Sequence, residues 1–263
     1  ASVPKTYVPD DNFEAYLEAN SMGDGIANND SVTTANISGV TILEIGNQNI
    51  ADLTGIKDFT SLTTLNCRFN NLTSLDVSQN TSLNTLICQN NQLNSLDLSN
   101  LTFLNILKCG INQLTTLDVS QNTALTNLSC YDNQLTSLNV RNGNNTNFTY
   151  FQAEINPNLN CISVDDASWA TANWTNIDAH TIFLDDCASY VSLNADFSAD
   201  ATTICEGTTV TFTDASSGTP TSWSWDFGDG TTSSLQNPTH TYSTAGTYDV
   251  SLTVNGSADT ETK

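Results

Sequence analysis

The side chains that could carry chemistry in this chain are few in kind. Histidine occurs only at His180 and His240, far apart in sequence, so a metal or hydrolase site built on several histidines is excluded. An enzyme would have to use carboxylates alone. Asp76, Asp97 and Asp118 recur at a constant interval, which indicates a regular ridge without a cleft or an apolar pocket to perturb a catalytic pair. We therefore expect no enzymatic activity and no cofactor.

The charge balance excludes two classes of partner. The chain of 263 residues carries 28 Asp and Glu against 6 Lys and Arg, a formal net charge of −22. This charge repels phosphate backbones and anionic lipid headgroups, so we expect no binding to nucleic acids or membrane surfaces. No apolar run reaches the roughly 18–20 residues of a membrane span, so we expect no membrane insertion either.

An internal repeat organises the middle of the chain. Four consecutive segments of 21 residues carry leucine at positions 1, 4, 11 and 14, cysteine at position 6 and asparagine at position 9. The segments begin at Leu62, Leu83, Leu104 and Leu125. Looser copies begin at Val40 and at Phe148, which brings the repeat to about six turns. A stack of this size exceeds the minimum of about three repeats that a stable solenoid needs.

The spacing predicts how each turn folds. Each turn is expected to form a short parallel strand about 4.8 Å from the next, with positions 4 and 6 pointing inward and the asparagines forming a hydrogen-bonded ladder. The LxxLDV half of each unit predicts a second strand-like edge and little helix. Stacked cysteine Cβ atoms about 4.8 Å apart lie beyond the usual disulfide range of about 3.5–4.5 Å, so these cysteines are expected to be small buried apolar residues. They are Cys67, Cys88, Cys109 and Cys130.

The spacing LxxLxCxxN resembles that of leucine-rich repeat proteins, and the short repeats resemble those of secreted bacterial internalin-like proteins. The resemblance implies a mainly β solenoid over residues 40–164 whose concave face, at positions 3, 5, 7 and 8 of each turn, is the usual partner surface. Aromatic and arginine side chains are typical interface anchors. The candidate ligand-binding residues on this face are Arg68, Phe69, Gln89, Lys108, Ile111, Tyr131, Asp132, Tyr150 and Glu154.

Two caps are expected around the repeats. Residues 1–39 contain a predicted short helix that opens at Pro9 and Asp10, followed by a turn in which Asp24 is a weak calcium candidate; a plain capping turn is the alternative. Residues 165–187 resemble the segments that end internalin-like repeats, which implies a Cys161–Cys187 disulfide and an oxidising, extracytoplasmic setting. Trp169 and Trp174 are expected to pack on the last turn. The aspartates at positions 76, 97 and 118 are further weak metal candidates; otherwise hydroxyls, amides and water compensate their charge.

A second domain is expected over residues 193–263, after a linker at 188–192. Short strands separated by turn clusters predict a β-sandwich. The run WSWDFGDG and the residues after it resemble a PKD domain, an immunoglobulin-like module of surface proteins. Trp223, Trp225 and Phe227 are expected in its core, His240 as a structural residue and Cys205 as a buried free thiol. Because such domains add a strand after a segment like NGSADTETK, we expect the last strand to be missing.

These features favour a secreted or bacterial cell-surface protein, which we expect to be monomeric. The main hypothesis is adhesion through protein recognition on the concave face, with the PKD domain as a spacer or secondary contact. A carbohydrate-binding module for extracellular polysaccharide is the first alternative, because exposed aromatic rings could stack on sugars. A structural stalk without a ligand is the second alternative.

Overall fold

The computed structural model describes residues 2–190, 193–218, 220–255 and 259–263, and it divides into two compact units, Ala1–Ala188 and Ser189–Lys263. Residues 191 and 192 of the expected linker lie outside the described residues. In the described part of the chain, no helix combines the length and apolar character that crossing a membrane requires.

The first unit begins with a small antiparallel pair of strands and two helices. They are β1 (Lys5–Tyr7), α1 (Asp11–Ala19), β2 (Ser31–Thr33) and α2 (Thr34–Ile37). Helix α1 starts where the sequence predicts, because the carboxylate of Asp10 accepts the backbone N–H groups of Asn12 and Phe13 and so caps it. Phe13 and Leu17 are fully buried, and Phe13 stacks on Phe59 with 6.2 Å between ring centroids. The helix therefore packs on the first turns of the repeat.

Two parallel sheets form the solenoid. Its strands are β3 (Ile42–Glu44), β4 (Thr64–Asn66), β5 (Thr85–Ile87), β6 (Ile106–Lys108), β7 (Thr116–Asp118), β8 (Asn127–Ser129), β9 (Ser137–Asn139), β10 (Tyr150–Gln152), β11 (Cys161–Ser163) and β12 (Ile182–Leu184). The larger sheet has the order β10-β8-β6-β5-β4-β3, one strand from each of the six predicted turns. The smaller sheet has the order β12-β11-β9-β7. Short 3-10 helices lie at Ile56–Asp58, Asn145–Asn147 and Cys187–Ser189.

Stacked side chains fill the solenoid interior as the repeat predicts. The leucines at position 4 pair in register, Leu65 with Leu86 and Leu86 with Leu107, and all are fully buried. The four repeat cysteines are free and fully buried. Removing this apolar surface from water is the main favourable term for such a stack, at about 25 cal/mol per Å².

Buried asparagines at position 9 supply the polar half of the interior. The Nδ2 of Asn112 donates to the carbonyls of Cys88 at 3.1 Å and Cys109 at 3.0 Å, while its Oδ1 accepts the N–H of Leu93 at 3.0 Å. Asn91 and Asn133 repeat this arrangement one turn before and one turn after. Each amide therefore joins adjacent turns at a bend whose backbone groups lack sheet partners.

The second edge differs in part from the prediction. The LxxLDV half forms a strand in the last two of the four strict repeats, at β7 and β9, whereas the same half at residues 75–77 and 96–98 is not a strand. In those two turns Asp76 and Asp97 each accept the N–H two residues later, from Ser78 and Ser99, at 3.0 Å. Asp118 at the end of β7 makes the same bond with the N–H of Ser120 at 2.8 Å, so this Asx turn occurs both with and without strand pairing.

The end of the solenoid is closed by aromatic packing and a disulfide. Helix α3 (Ala167–Asn173) carries Trp169, which meets Trp174 edge-on at 5.6 Å. Trp174 stacks on Phe151 of β10 at 4.0 Å, as expected for a cap on the last turn. The expected Cys161–Cys187 disulfide is present, with 5.9 Å between its Cα atoms.

The second unit is a sandwich of two antiparallel sheets. Its strands are β13 (Phe197–Ala199), β14 (Thr209–Asp214), β15 (Trp223–Asp226), β16 (Thr232–Ser233), β17 (Thr239–Thr241), β18 (Ser251–Val254) and β19 (Asp259–Thr262), in the orders β13-β14-β17 and β16-β15-β18-β19. Trp225 and Phe227 lie in its core, and Trp223 packs against that core half-buried. His240 stacks on Phe227 at 4.3 Å and pairs with Asp229, a structural arrangement.

Two features of this unit differ from what the sequence suggested. The segment expected to precede a missing last strand contains a strand itself, because Asp259–Thr262 forms β19 and pairs antiparallel with β18; the missing strand after it stays a prediction. Cys205 is free but exposed instead of buried, because it lies in a turn between β13 and β14 and outside the core.

Candidate binding face of the repeat sheet

We define the strand face as positions 3, 5, 7 and 8 of the six turns, which are the outward-facing strand residues and the two residues after each buried position 6. All nine candidate residues lie on this face and are exposed or half-buried. The inward position 4 between them is buried in every turn. The structure therefore puts the candidates on one surface; that they bind a ligand stays a prediction.

A first depression lies at the N-terminal end of the face, with a volume of about 460 Å³. It is lined by Glu44, Gly46, Asn47, Asn66, Arg68 and Phe69. A glycine at residue 46 lets Arg68 lie close to the preceding turn, because a Cβ there would stand 3.3 Å from the Arg68 Cγ. The guanidinium lies 5.8 Å from the ring centre of Phe69. An arginine and an aromatic ring are thus presented together.

A second depression of about 260 Å³ lies further along the face. It is lined by Gln89, Lys108, Asn127, Ser129, Tyr131, Tyr150 and Gln152. Here a glycine again makes room: a Cβ at Gly110 would stand 2.5 Å from two ring carbons of Tyr131. Tyr131 therefore lies flat on the preceding turn. On the opposite side of the depression, Ser129 and Tyr150 donate hydrogen bonds to the Oε1 of Gln152, at 2.9 and 2.8 Å, and so fix the Gln152 side chain.

The candidates are distributed unevenly between these depressions. Arg68 and Phe69 line the first, and Gln89, Lys108, Tyr131 and Tyr150 line the second. The remaining three, Ile111, Asp132 and Glu154, line neither.

Three residues expected to be exposed by the position rule are buried. The side chain of Asn66 donates to Glu44 at 2.6 Å, and Ser129 donates to Gln152, so both side chains pack against a neighbouring turn. Gly110 is covered by the ring of Tyr131.

The list of candidates also missed Glu44, Gly46 and Asn47, which line the first depression. They belong to the looser first turn. Aligning its Val40, Ile45 and Ile50 with positions 1, 6 and 11 puts the three missed residues at positions 5, 7 and 8.

Position 8 has the same unusual backbone in all six turns. Its φ lies between 52° and 60°, the left-handed region that Asn and Asp tolerate better than other non-glycine residues. Asn47, Asn90 and Asp132 suit it. The other three turns carry apolar residues there, Phe69, Ile111 and Ile155, and two of these are β-branched. A left-handed conformation costs such residues about 1–2 kcal/mol each.

Among the described residues, the two cations of the strand face, Arg68 and Lys108, have no acidic partner, although the chain is very acidic. The ion pairs of the described residues are Lys5–Asp24, Arg141–Asp186, His240–Asp229 and Lys263–Asp196. Within those residues Arg68 and Lys108 form no ion pair, although acidic residues outnumber basic ones 28 to 6. Both charges therefore remain available to an outside group.

The four repeat cysteines lie behind the strand face, and their burial makes the thiols unreactive. Burial raises the pKa of Cys88 to about 12 and also raises the pKa of Cys67 and Cys109. Burial, assisted by the charge of Glu154, raises the pKa of Cys130 to about 12. Because the thiolate is the reactive form and the metal ligand, these cysteines act as packing residues at neutral pH.

Among the described residues, one cluster of three acidic side chains could hold a cation. The carboxylates of Asp11, Glu14 and Asp30 can bring oxygens within 4.8 Å of one another. The oxygens of buried Glu14, however, already accept the N–H groups of Asn29 at 3.0 Å and Asp30 at 3.3 Å. The structural role of the Glu14 carboxylate is therefore to bind the backbone of the turn at Asn29 and Asp30.

The weak metal candidates predicted from the sequence stand apart from that group; among the described residues, no cluster of acidic ligands includes them. A hydrogen bond from Lys5 is the main cause that lowers the pKa of Asp24 to about 2. Hydrogen bonds from Ser78 and Ser99 lower the pKa of Asp76 and Asp97. For Asp118, burial acts in the opposite direction, but hydrogen bonds from Ser120 and Asn139 give a net lowering of the pKa. Hydroxyls and amides therefore contact Asp76, Asp97 and Asp118, as the compensation hypothesis predicts; metal binding by these aspartates stays a prediction.

Comparisons with known proteins agree with both units. A family model described as PKD domain matches residues 194–263. Internalin J of Listeria monocytogenes serotype 4b is 40% identical over 74 residues, which is 28% of this chain and 8% of that protein. Collagenase ColA of Bacillus cereus is 51% identical over 51 residues, which is 19% of this chain and 5% of that protein. The chain thus spans a small part of the length of these relatives.

A solved structure supports the assignment of the repeats. The functional domain of InlJ from Listeria monocytogenes, which includes a cysteine ladder, matches 62% of this chain and 39% of its own length at 35% identity, with a TM-score of 0.51. The solenoid shares with that structure a stack of cysteines, and its larger sheet takes one strand from each turn. Residues 194–263 therefore form a PKD domain, and the unit before it is an internalin-like leucine-rich repeat solenoid.

Proposed function

We propose that this protein is a non-catalytic binding protein of the cell exterior that recognises another protein through the strand face. The observation that carries the proposal is that the buried positions of the repeat are constant whereas the strand face varies from turn to turn. Positions 4, 6 and 9 hold the same buried residue types in the four strict repeats, whereas position 7 changes from Arg68 to Gln89, Gly110 and Tyr131. Arginine and aromatic side chains are enriched among the anchors of protein interfaces.

An extracytoplasmic location is supported by the Cys161–Cys187 disulfide, because such bonds persist in oxidising compartments. Internalin J and the InlJ functional domain are the relatives that favour adhesion as the role of the repeats. In this proposal the PKD domain is a spacer or a secondary contact.

Carbohydrate binding is the second candidate, and the second depression is the observation that favours it. Tyr131 and Tyr150 stand beside the amides of Gln89, Asn127 and Gln152, a combination of ring faces and hydrogen-bonding groups that suits a sugar. Sugar binding would depend on one or two rings in this depression. Protein binding would spread over both depressions.

The test captures partners from host and community surface proteins and, in parallel, screens a glycan array. Arg68→Ala and Tyr131→Ala are compared with the wild type, with Arg141→Ala and Tyr7→Ala as matched controls, since those two side chains are exposed off the strand face. For a protein partner, we expect each strand-face change to weaken binding about 30-fold, the equivalent of a hot spot of about 2 kcal/mol.

The outcomes separate the hypotheses. A protein partner lost in both strand-face variants and kept in both controls supports the proposal. A glycan class lost in Tyr131→Ala alone favours carbohydrate attachment. Equal binding by all variants places the site elsewhere, and no ligand in either assay favours the stalk.

A further inference from the structure

The three apolar residues at position 8 are explained neither by backbone preference nor by burial. Phe69 is 48% exposed and Ile155 is 55% exposed, and Ile111 is half-buried. Asparagine occupies the same position in the first and third turns, so a residue suited to the left-handed backbone is available to this repeat. A residue that is strained, apolar and exposed indicates selection for contact with another molecule.

Hydrogen bonds on both sides hold this conformation in place. The N–H of Ile111 donates to the carbonyl of Tyr131 at 2.9 Å, and the carbonyl of Ile111 accepts the N–H of Asn91 at 3.2 Å. The N–H of Phe69 donates to the carbonyl of Gln89 at 3.0 Å. The carbonyl of Ile155 accepts the N–H of Asn133 at 3.3 Å, and its N–H donates to the carboxylate of Asp178 at 2.9 Å. The side chains at position 8 are therefore carried on a rigid backbone and cannot relax by turning away.

These residues form a regular row, which we name the position-8 ridge: Asn47, Phe69, Asn90, Ile111, Asp132 and Ile155. Apolar and polar members alternate along it. Because adjacent turns are bonded as neighbouring strands, they are about 4.8 Å apart, and the apolar members recur about every 9.6 Å.

That interval restricts the shape of a partner. A polyproline II chain presents the same side every three residues, about 9.3 Å. An α-helix presents the same side every seven residues, about 10.5 Å, and a β-strand every two residues, about 6.8 Å. Over the two intervals from Phe69 to Ile155, the polyproline II chain departs from the ridge by about 0.6 Å and the helix by about 1.8 Å.

Charge restricts the partner further. The chain has a net charge of −22, and the ridge includes the exposed carboxylate of Asp132. The two cations of the strand face, Arg68 and Lys108, lie in the turns of Phe69 and Ile111, so the attraction for a basic group comes from the net charge and from the turns outside these two. An extended segment with basic flanks would be attracted, whereas an acidic segment would be repelled.

We propose that the position-8 ridge docks a proline-rich, polyproline II segment of a partner protein, with an apolar side chain at every third residue and basic residues at its ends. The inference rests on the proposed function, since it specifies the kind of protein that the strand face binds.

The experiment measures fluorescence anisotropy of labelled synthetic peptides with the full chain. The test peptide has four Leu-Pro-Pro units between pairs of lysines. One control peptide has the same composition with its leucines adjacent, a second has aspartates in place of the lysines, and a third is a helical peptide with leucine at every seventh residue. We expect saturable binding of the first peptide and at least tenfold weaker binding of the other three. Equal or tighter binding of the helical peptide would overturn the inference.

The protein variants add a readout that a structural role cannot mimic. Phe69→Asn and Ile155→Asn relieve strain, so we expect each to raise the Tm by about 2–4 °C while weakening the test peptide at least tenfold. Ile182→Asn is the control, because Ile182 is an exposed isoleucine of β12 with an ordinary backbone; it should neither raise the Tm nor weaken binding of the test peptide. A higher Tm with unchanged peptide binding would overturn the ridge as a binding site.

The result also separates this inference from the proposed function. If a captured protein partner is lost in Arg68→Ala and Tyr131→Ala but no peptide binds, the strand face remains the binding site and the polyproline II partner is refuted alone.

Discussion

The asparagine ladder can be tested by removing one rung, with Asn112→Ala as the change. Asn112 is 8% exposed, and its amide makes two close bonds to carbonyls and accepts one buried N–H, that of Leu93. Both carbonyls keep a second partner, because Cys88 O also accepts from Asn91 and Cys109 O from Asn133. The Leu93 amide would lose the acceptor it has in the ladder.

The magnitude follows from this bookkeeping. An orphaned buried N–H costs about 1–3 kcal/mol, and the two lost bonds to carbonyls that keep another donor together contribute about 1 kcal/mol. We expect the free energy of unfolding to fall by about 2–4 kcal/mol, and a loss near 3 kcal/mol lowers the Tm of a unit of this size by about 6–12 °C. Gln113→Ala is the matched control: it removes an exposed amide from the next residue and should change stability by less than about 0.5 kcal/mol.

Urea denaturation gives the global value, and hydrogen exchange of the Leu93 amide gives the local one. In Asn112→Ala this amide should exchange much faster, while the Leu72 amide, which is held by Asn91, should change less. Asn112→Asp keeps the acceptor but loses the donor and buries a carboxyl group, which raises its pKa; stability should therefore be retained at low pH and lost as pH rises. Wild-type stability in Asn112→Ala, together with a protected Leu93 amide, would refute the ladder as a source of stability.

Three further predictions concern single groups. Gly228→Ala should destabilise the PKD domain by more than about 2 kcal/mol in calorimetry, because φ is 78° and a Cβ would stand 2.6 Å from the carbonyl oxygen of Asp249. In thiol labelling at pH 8 on the native chain, Cys205 should react and the four ladder cysteines should not, until denaturant exposes them. A hydrogen bond from Thr231 is the main cause that lowers the pKa of Asp229 from 3.8 to about 2, so its contribution to stability is present above pH 4 and lost as pH falls towards 2; the stability difference between wild type and Asp229→Asn should shrink over that range, and a constant difference would contradict it.

The periodic part of the fold was predictable because a strict repeat ties each position to one environment. A leucine at position 4 of one turn has the same neighbours in every turn, so Leu65 and Leu107 could be placed inside from spacing alone. The N-terminal helix α1 was predictable because Asp10 and the apolar face after it carry their own local signals. In the PKD domain, the alternation of Trp225 and Phe227 carries the same kind of information.

The failures occur where contacts between turns, or the path of a turn outside the repeat, decide the conformation or burial of a residue. Asn66 and Ser129 stand at outward positions, yet each bonds to a side chain of the neighbouring turn and lies buried. The left-handed backbone at position 8 is fixed by hydrogen bonds between turns, and a phenylalanine or isoleucine gives no local sign of it. Cys205 has no periodic neighbours at all, so its exposure was decided by the path of one turn.

Contacts on the strand face are organised by pairs of turns. Arg68 lies over Gly46 and Tyr131 lies over Gly110, so a large side chain at position 7 uses space that the preceding turn leaves open. Because the glycine and the large residue are in contact, their substitutions must be coupled, whereas substitutions in the two separate pairs should add. Buried leucine, cysteine and asparagine supply the packing and the hydrogen bonds within and between turns, so position 7 can change without disturbing the interior. In the proposed function, a change of ligand therefore requires substitutions in two adjacent turns together, so one depression is the smallest part of the face whose specificity can be changed.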